Sequence, residues 1–264
     1  MSAKIVVDRL RDGLHTKWLG RNILFLNEVD STNRLAKELA MHGAPEGMVV
    51  IAETQTRGRG RLGRKWVSPI GGLWFSIILR PNLHPAEAVK LTFLAGLAVA
   101  KVLSERLGLK VETKWPNDVL VNGRKICGIL TEMSTARETV NFVVVGIGIN
   151  VNFDVENVLP EALRKTATSL ESELGRKIQL EELFRILLEE LENLYEQFIR
   201  EGFDPILRKW KNYARFLGCQ VEVISATEKL RGLALDVNND GALVVRLEDG
   251  TIKKVFFGDV SIRL

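Results

Sequence analysis

Four arginines fall within eight residues, at Arg57, Arg59, Arg61 and Arg64, with Gly58, Gly60 and Gly63 between them and Lys65-Trp66 following. From Thr54 to Ala86 the chain holds no Asp or Glu. Guanidinium groups are planar, permanently charged forks suited to carboxylate and phosphate. The glycines let the backbone come close to a ligand and adopt positive φ. So dense a charge repels itself, which predicts a loop that is mobile until an anion neutralises it. A solvated basic loop or a nucleic-acid contact is the plainer alternative, but four arginines without a nearby acid favour an anion site. Gly58–Gly63 also spells G-x-G-x-x-G. That dinucleotide pattern should open a helix and be followed by an acid about 20 residues on. Here Pro69 and Gly71-Gly72 lead into a strand, and no acid comes before Glu87. A P-loop is excluded because Gly63 is followed by Arg64-Lys65-Trp66.

Three further segments carry candidate chemistry. Lys114-Trp115-Pro116-Asn117-Asp118 reads, on its own, equally as an Asn-Asp turn after proline. Lys125 stands beside Ile126 and Cys127 on a mostly apolar strand. It is either an edge residue or a cation held against a reacting carboxylate or phosphate. Cys127 reads as a small core residue. Gly146-Ile147-Gly148-Ile149-Asn150 is a bulge or tight bend, or a strand end that a ligand approaches closely with Asn150 reading a base edge. The three histidines, His15, His42 and His84, are scattered. A histidine-rich zinc centre or a Ser-His-Asp hydrolase therefore starts with few parts.

The elements that must position these residues follow from periodicity. Asp30-Ser31-Thr32 reads as a helix N-cap, with Leu35, Ala36, Leu39 and Ala40 at helical spacing. Strands are predicted at 48–52, 73–79, 111–114, 125–132 and 142–145, and Asn122-Gly123 is a strong two-residue hairpin turn. One long helix is predicted over 86–107, closed by Gly108, and others at 180–201 and 205–213. After Leu217-Gly218, short alternating strands at 221–224, 230–237, 242–247 and 251–256 predict a small β-barrel, with a boundary near 217.

At 264 residues, 46% hydrophobic and 27% charged, the chain can bury a sizeable core without staples. Cys127 and Cys219 form no metal spacing and no disulfide framework, so a reducing cytoplasm is the default. Charges interrupt the first residues where a signal peptide needs an apolar core, and the apolar run 91–100 is far short of a membrane span. A net charge of +4 fits an anionic ligand but is ordinary.

Taken in order, DSTN (30–33), ETQTRGRGRLGRKW (53–66), KWPNDV (114–119), GRKICGIL (123–130) and GIGIN (146–150) make the chain resemble the biotin protein ligase family over about residues 22–264. The arginine loop is the most specific of these. The resemblance implies an α+β fold of the class II synthetase and biotin ligase kind. A mixed β-sheet flanked by helices would form a catalytic domain over 1–216, and an SH3-like β-barrel would occupy 217–264. It implies a two-step ligase that joins biotin and ATP into biotinyl-5′-AMP, then transfers biotin to a lysine of a biotin carboxyl carrier protein. Mg²⁺ is expected on the ATP phosphates, held largely by ATP and water, with no protein metal ligand assigned.

Carried over by motif, Ser31, Thr32, Asn33 and Gln55 would line the biotin pocket. Gly58, Arg59, Gly60 and Arg61 would form the loop ordering over biotin and the adenylate. Lys125 would hold the biotin carboxylate and α-phosphate, with Gly128 beside the biotin. Arg64, Trp66, Asn117 and Asn150 would contact the nucleotide, Trp66 by covering the adenine. Arg59, Arg61, Lys125 and Asp118 make up the catalytic set, Asp118 orienting Lys125 or the metal. A cytoplasmic homodimer is what the resemblance suggests, with no membrane partner. Repressor members carry a winged DNA-binding domain before DSTN. Only 29 residues precede Asp30 here, so the expectation is a ligase without operator binding. The nearest alternative, a lipoate or octanoate ligase, uses a different glycine-rich signature. A biotin-responsive DNA-binding regulator is weighed against the same N-terminal length. A generic basic nucleic-acid-binding protein leaves the pocket motifs unexplained.

Overall fold

The structure, a computed structural model, describes residue 5, residues 7–224 and residues 228–262. Ahead of the first strand lies α1 (Val7–Arg11), which no sequence pattern announced. The strand β1 (Ile23–Val29) then runs parallel to β2 (Val49–Gln55) through the crossover helix α2 (Thr32–Met41). β3 (Leu73–Leu79) follows antiparallel to β2.

The helix predicted over 86–107 is two, α3 (Pro85–Ala88) and α4 (Leu91–Leu107). The break comes at Val89-Lys90, where the backbone bonds tighten to i→i+3: Lys90 N to Glu87 O at 3.0 Å and Phe93 N to Lys90 O at 3.0 Å. Next come β4 (Val111–Lys114), β5 (Asp118–Val121), β6 (Arg124–Ala136) and β7 (Thr139–Ile149). β6 and β7 form a hairpin longer at both ends than its apolar centre predicted. After Asn150 come three short helices, α5 (Val155–Val158), α6 (Glu161–Arg164) and α7 (Leu170–Leu174).

These strands make one mixed sheet in the order β1-β2-β3-β7-β6-β5-β4. Period-two alternation divides its side chains between two faces. Val49, Ile51, Phe75 and Ile77 join the large core with α4, α8 (Leu180–Glu201) and α9 (Asp204–Lys211). Val50, Ile78 and Val144 join a smaller core under α2, with Ala36 and Ala40. β3 is buried along its whole length because both faces are covered. α8 buries Leu183, Phe184, Leu187, Leu188 and Leu191, an i, i+4, i+8 stripe, and Phe184 meets Phe75 edge-on at 5.4 Å. Each such fully buried side chain contributes about 1.5–3 kcal/mol. From α8 the Glu192 carboxylate accepts the backbone N–H groups of Lys17, Trp18 and Leu19 at 2.6–2.9 Å. That anchors the segment before β1, a contact no local pattern announced.

The remaining strands, β8 (Gln220–Ile224), β9 (Lys229–Val237), β10 (Leu243–Leu247), β11 (Ile252–Val255) and β12 (Asp259–Ile262), form an antiparallel sheet in the order β11-β10-β9-β8-β12. Four of the five were predicted. β12 was missed, because Asp259 and Ser261 break the apolar run. Turns from the two sheets meet: Trp115 Nε1, between β4 and β5, donates to Gly241 O, between β9 and β10, at 2.9 Å.

Candidate active site

A cavity of about 450 Å³ opens over β6 and β7. Its floor is a patch of backbone. Gly128 on β6 lies opposite Gly148 on β7, and Leu130 opposite Gly146. A methyl group at Gly148 would come within 2.7 Å of Trp66 Nε1, at Gly128 within 2.8 Å of Trp66 Cζ3, and at Gly146 within 1.9 Å of Asn33 Oδ1. The glycines thus let two side chains of this protein, Trp66 and Asn33, lie down on the sheet. β7 stays regularly paired through Gly146–Ile149 rather than bulging or bending, and Gly128, Gly146 and Gly148 all line the cavity.

One end of the cavity is polar and hydrogen-bonded from within. Ser31 caps α2, its Oγ accepting from Arg34 N. Gln55 Oε1 accepts from Thr32 N at 2.8 Å and from Thr32 Oγ1 at 3.1 Å, while its Nε2 donates to Ser68 Oγ at 2.8 Å. Asn33 Nδ2 donates to Leu130 O and to Glu132 Oε2. Ser76 Oγ, fully buried in the middle of β3, lies 2.6 Å from Asn33 Oδ1 and 2.8 Å from Thr32 Oγ1. Networks satisfied this fully hold their members rigidly. Ser76 was missed; its signal was a lone hydroxyl in LWFSIIL.

The other end is cationic. A register shift in the β5–β6 ladder pairs Val119 with Cys127 but Leu120 with Lys125. The bulge re-aims the strand: Cys127 stays in the core while Lys125 lines the cavity. Burial pushes the Cys127 thiol well above its ordinary range, which fits a core residue rather than a nucleophile. Lys125 Nζ lies 2.7 Å from Asp118 Oδ1 and 5.1 Å over the Trp66 ring. The approach to Oδ1 is off hydrogen-bond geometry, so this buried oxygen has an ion-pair partner but no hydrogen bond. Asn150 is buried, with Nδ2 donating to Thr168 O at 2.9 Å.

The arginine loop folds across this end as a narrow turn. Gly60 N bonds Arg64 O at 2.7 Å, Trp66 N bonds Gly58 O at 2.9 Å, and Leu62 at the tip has φ +55°. Arg61 Nη1 donates to Asn117 Oδ1 at 3.1 Å and to Gly258 O at 3.3 Å. Desolvation lowers the Arg61 pKa, opposed by Asp259 and Asp118. Arg64 pairs with Asp259 on β12, and Arg59 Nη1 lies 3.3 Å from Glu132 Oε1. The loop's charge is therefore met by acids remote in sequence, Glu132 and Asp259, which the local charge pattern could not reveal. Of the residues expected at the site, all but Gly58 line the cavity. Gly58 is buried beneath the loop instead, where a Cβ would meet Trp66 O at 2.4 Å. Lys165 and Thr166, after α6, complete the wall and were not anticipated.

A cavity with cations at one end and a hydrogen-bonded polar network at the other suits an organic acid joined to a phosphate. Residues 25–150 match the biotin/lipoate A/B protein ligase family, and residues 216–263 the biotin protein ligase C-terminal domain. The bifunctional ligase/repressor BirA of Bacillus subtilis is 38% identical over 260 residues, 98% of this chain and 79% of that protein. The biotin–[acetyl-CoA-carboxylase] ligase of Paracoccus denitrificans is 34% identical, covering 88% of this chain and 99% of that one. Among solved structures, the biotin protein ligase of Aquifex aeolicus in complex with biotin and ATP superposes with a TM-score of 0.78 at 32% identity, over 92% of this chain and 99% of that one. With its sequence matched along nearly its whole length and its fold superposing closely, the chain belongs to the biotin protein ligase family.

Proposed function

We propose that the chain activates biotin with ATP and passes it to a lysine of a biotin carboxyl carrier protein. The observation that carries this reading is the single cavity in which the Thr32–Asn33–Gln55 network faces Lys125, Arg61 and Arg64. In the first step a biotin carboxylate oxygen attacks the α-phosphorus of ATP, the bond to the β-phosphate breaks, and pyrophosphate leaves. In the second, a carrier lysine amine attacks the acyl carbon, and AMP leaves as the amide forms and the amine loses its proton.

Both first-step reactants are anions, so their approach is uphill until fixed cations neutralise it. Lys125 is placed to sit between the biotin carboxylate and the α-phosphate, with Asp118 holding its ammonium group. Arg59 and Arg61, with Gly60 between them, would close over the mixed anhydride. Ser31, Thr32, Asn33 and Gln55 would hold biotin, with Gly128 beneath it. Arg64, Trp66, Asn117 and Asn150 would serve the nucleotide. Gly58 acts by keeping the loop base tight.

Mg²⁺ on the phosphates would spread the charge of the pyrophosphate leaving group. Such an ion would be held largely by the ATP phosphates and water, because Asp118 Oδ1, buried and without a hydrogen bond, already faces the Lys125 ammonium at 2.7 Å. The reading also comprises a catalytic unit over 1–216 with a C-terminal unit over 217–264, a homodimer, a cytoplasmic location and no DNA or membrane partner. No helix among the described residues is long and apolar enough to cross a membrane.

ATP–pyrophosphate exchange tests the activation step. Exchange with biotin, and none with lipoate or octanoate, is expected. Exchange with lipoate or octanoate alone would move the chain to the sister activity.

A further inference from the structure

The loop arginines diverge. Arg61 and Arg64 reach toward Asp259 and Gly258 in the second sheet. Arg59 goes the opposite way, to Glu132 on β6. The Glu132 carboxylate is four-fifths buried and uses both oxygens. Oε1 faces Arg59 Nη1 at 3.3 Å, and Oε2 accepts from Asn33 Nδ2 at 3.1 Å. Asn33 is in turn fixed by Ser76 and by Leu130 O. One carboxylate therefore links the side chain of a half-exposed arginine to the hydrogen-bonded wall of the pocket.

An unrestrained arginine loses rotamer freedom when it is fixed. A charge-assisted partner already in place removes part of that loss. Replacing the oxygen facing Arg59 by an uncharged group would free the guanidinium without opening the Asn33 network.

We propose that Glu132 is a positioning residue that holds Arg59 over the pocket mouth and thereby slows escape of the activated acid. This rests on the reading of the site as a biotin-activating one. Glu132 acts through Arg59 and does not itself touch the reacting atoms.

The test uses the whole protein. Wild type, Glu132→Gln, Arg59→Gln and the double variant are charged with labelled biotin and Mg·ATP and freed of excess reagents. Loss of labelled biotinyl-5′-AMP is then followed, together with label appearing on lysines of a bystander albumin. Gln keeps an amide oxygen for Asn33, so the thermal midpoint of Glu132→Gln should stay near wild type. Adenylate loss should rise about fivefold, the upper range for a partly exposed pair. The double variant should lose it no faster than the faster single variant, because both changes break one contact. Unchanged retention in Glu132→Gln would overturn the proposal, and so would additive effects of the two changes. If wild type itself formed no biotinyl-5′-AMP, the reading of the site would fail first, and Glu132 would have no such role.

Discussion

Lys125→Ala separates chemistry from folding more sharply than any other single change. On the proposed reading the Lys125 ammonium faces both reacting anions; it lies 2.7 Å from Asp118 and 5.1 Å over Trp66. Two unit charges about 4 Å apart interact by about 4 kcal/mol at an effective dielectric of 20. Loss of one preorganised donor to a developing charge typically costs about 2.7–4 kcal/mol. Adenylate formation should therefore slow by about 10²–10³-fold. The fold has less at stake. Lys125 is about one-third exposed, so its pair with Asp118 is discounted for solvent to about 1 kcal/mol or less. Asp118 also keeps a charged neighbour, because it acts on Arg61 as well. The thermal midpoint should fall by no more than about 2–4 °C. The assay is single-turnover formation of biotinyl-5′-AMP at saturating biotin and ATP, beside a thermal melt. A rate within about threefold of wild type would remove Lys125 from the mechanism, since the Coulomb argument allows no so small an effect.

Other expectations follow from neighbouring contacts. Arg59→Gly should loosen loop closure and spread label to bystander lysines; labelling confined to the carrier would contradict the loop-closure account. Gly146→Ala places a methyl 1.9 Å from Asn33 Oδ1, which Ser76 prevents from turning away. It should raise the biotin KM and destabilise the fold by about 1–3 kcal/mol, read by steady-state kinetics and a denaturant melt. Burial raises the Cys127 pKa, so its thiolate fraction falls and alkylation with it. Iodoacetamide at pH 8 should mark the folded protein at Cys219 alone, as read by peptide mapping, and modification of Cys127 would show that β6 opens.

The motifs were legible wherever residue type itself carried the chemistry. Alternation and capping located α2, β3, β4 and α8 because each presents one apolar face or run to a core. Lys125 was singled out as an odd cation on an apolar strand, but its direction depends on a β-bulge that no residue type announced. Long-range pairing was the part hidden from sequence. Glu132 and Asp259 reach the arginine loop from 73 and 195 positions away. Local charge counting therefore gave an uncompensated loop where the fold supplies two counter-ions. Gly146 and Gly148 line the cavity and also make room for Asn33 and Trp66, a second role that only the third dimension reveals. The segment before β1 looked featureless because its anchor, Glu192, is on a helix far along the chain.

The most direct test of the central claim is the product of the complete reaction. The protein would be incubated with biotin, Mg·ATP and a purified carrier domain of a biotin-dependent carboxylase, and the carrier examined by intact mass and peptide mapping. One biotinyl group on one carrier lysine, with none in the absence of ATP, is the predicted result. An unmodified carrier, with biotin and ATP both left unconsumed, would contradict the account.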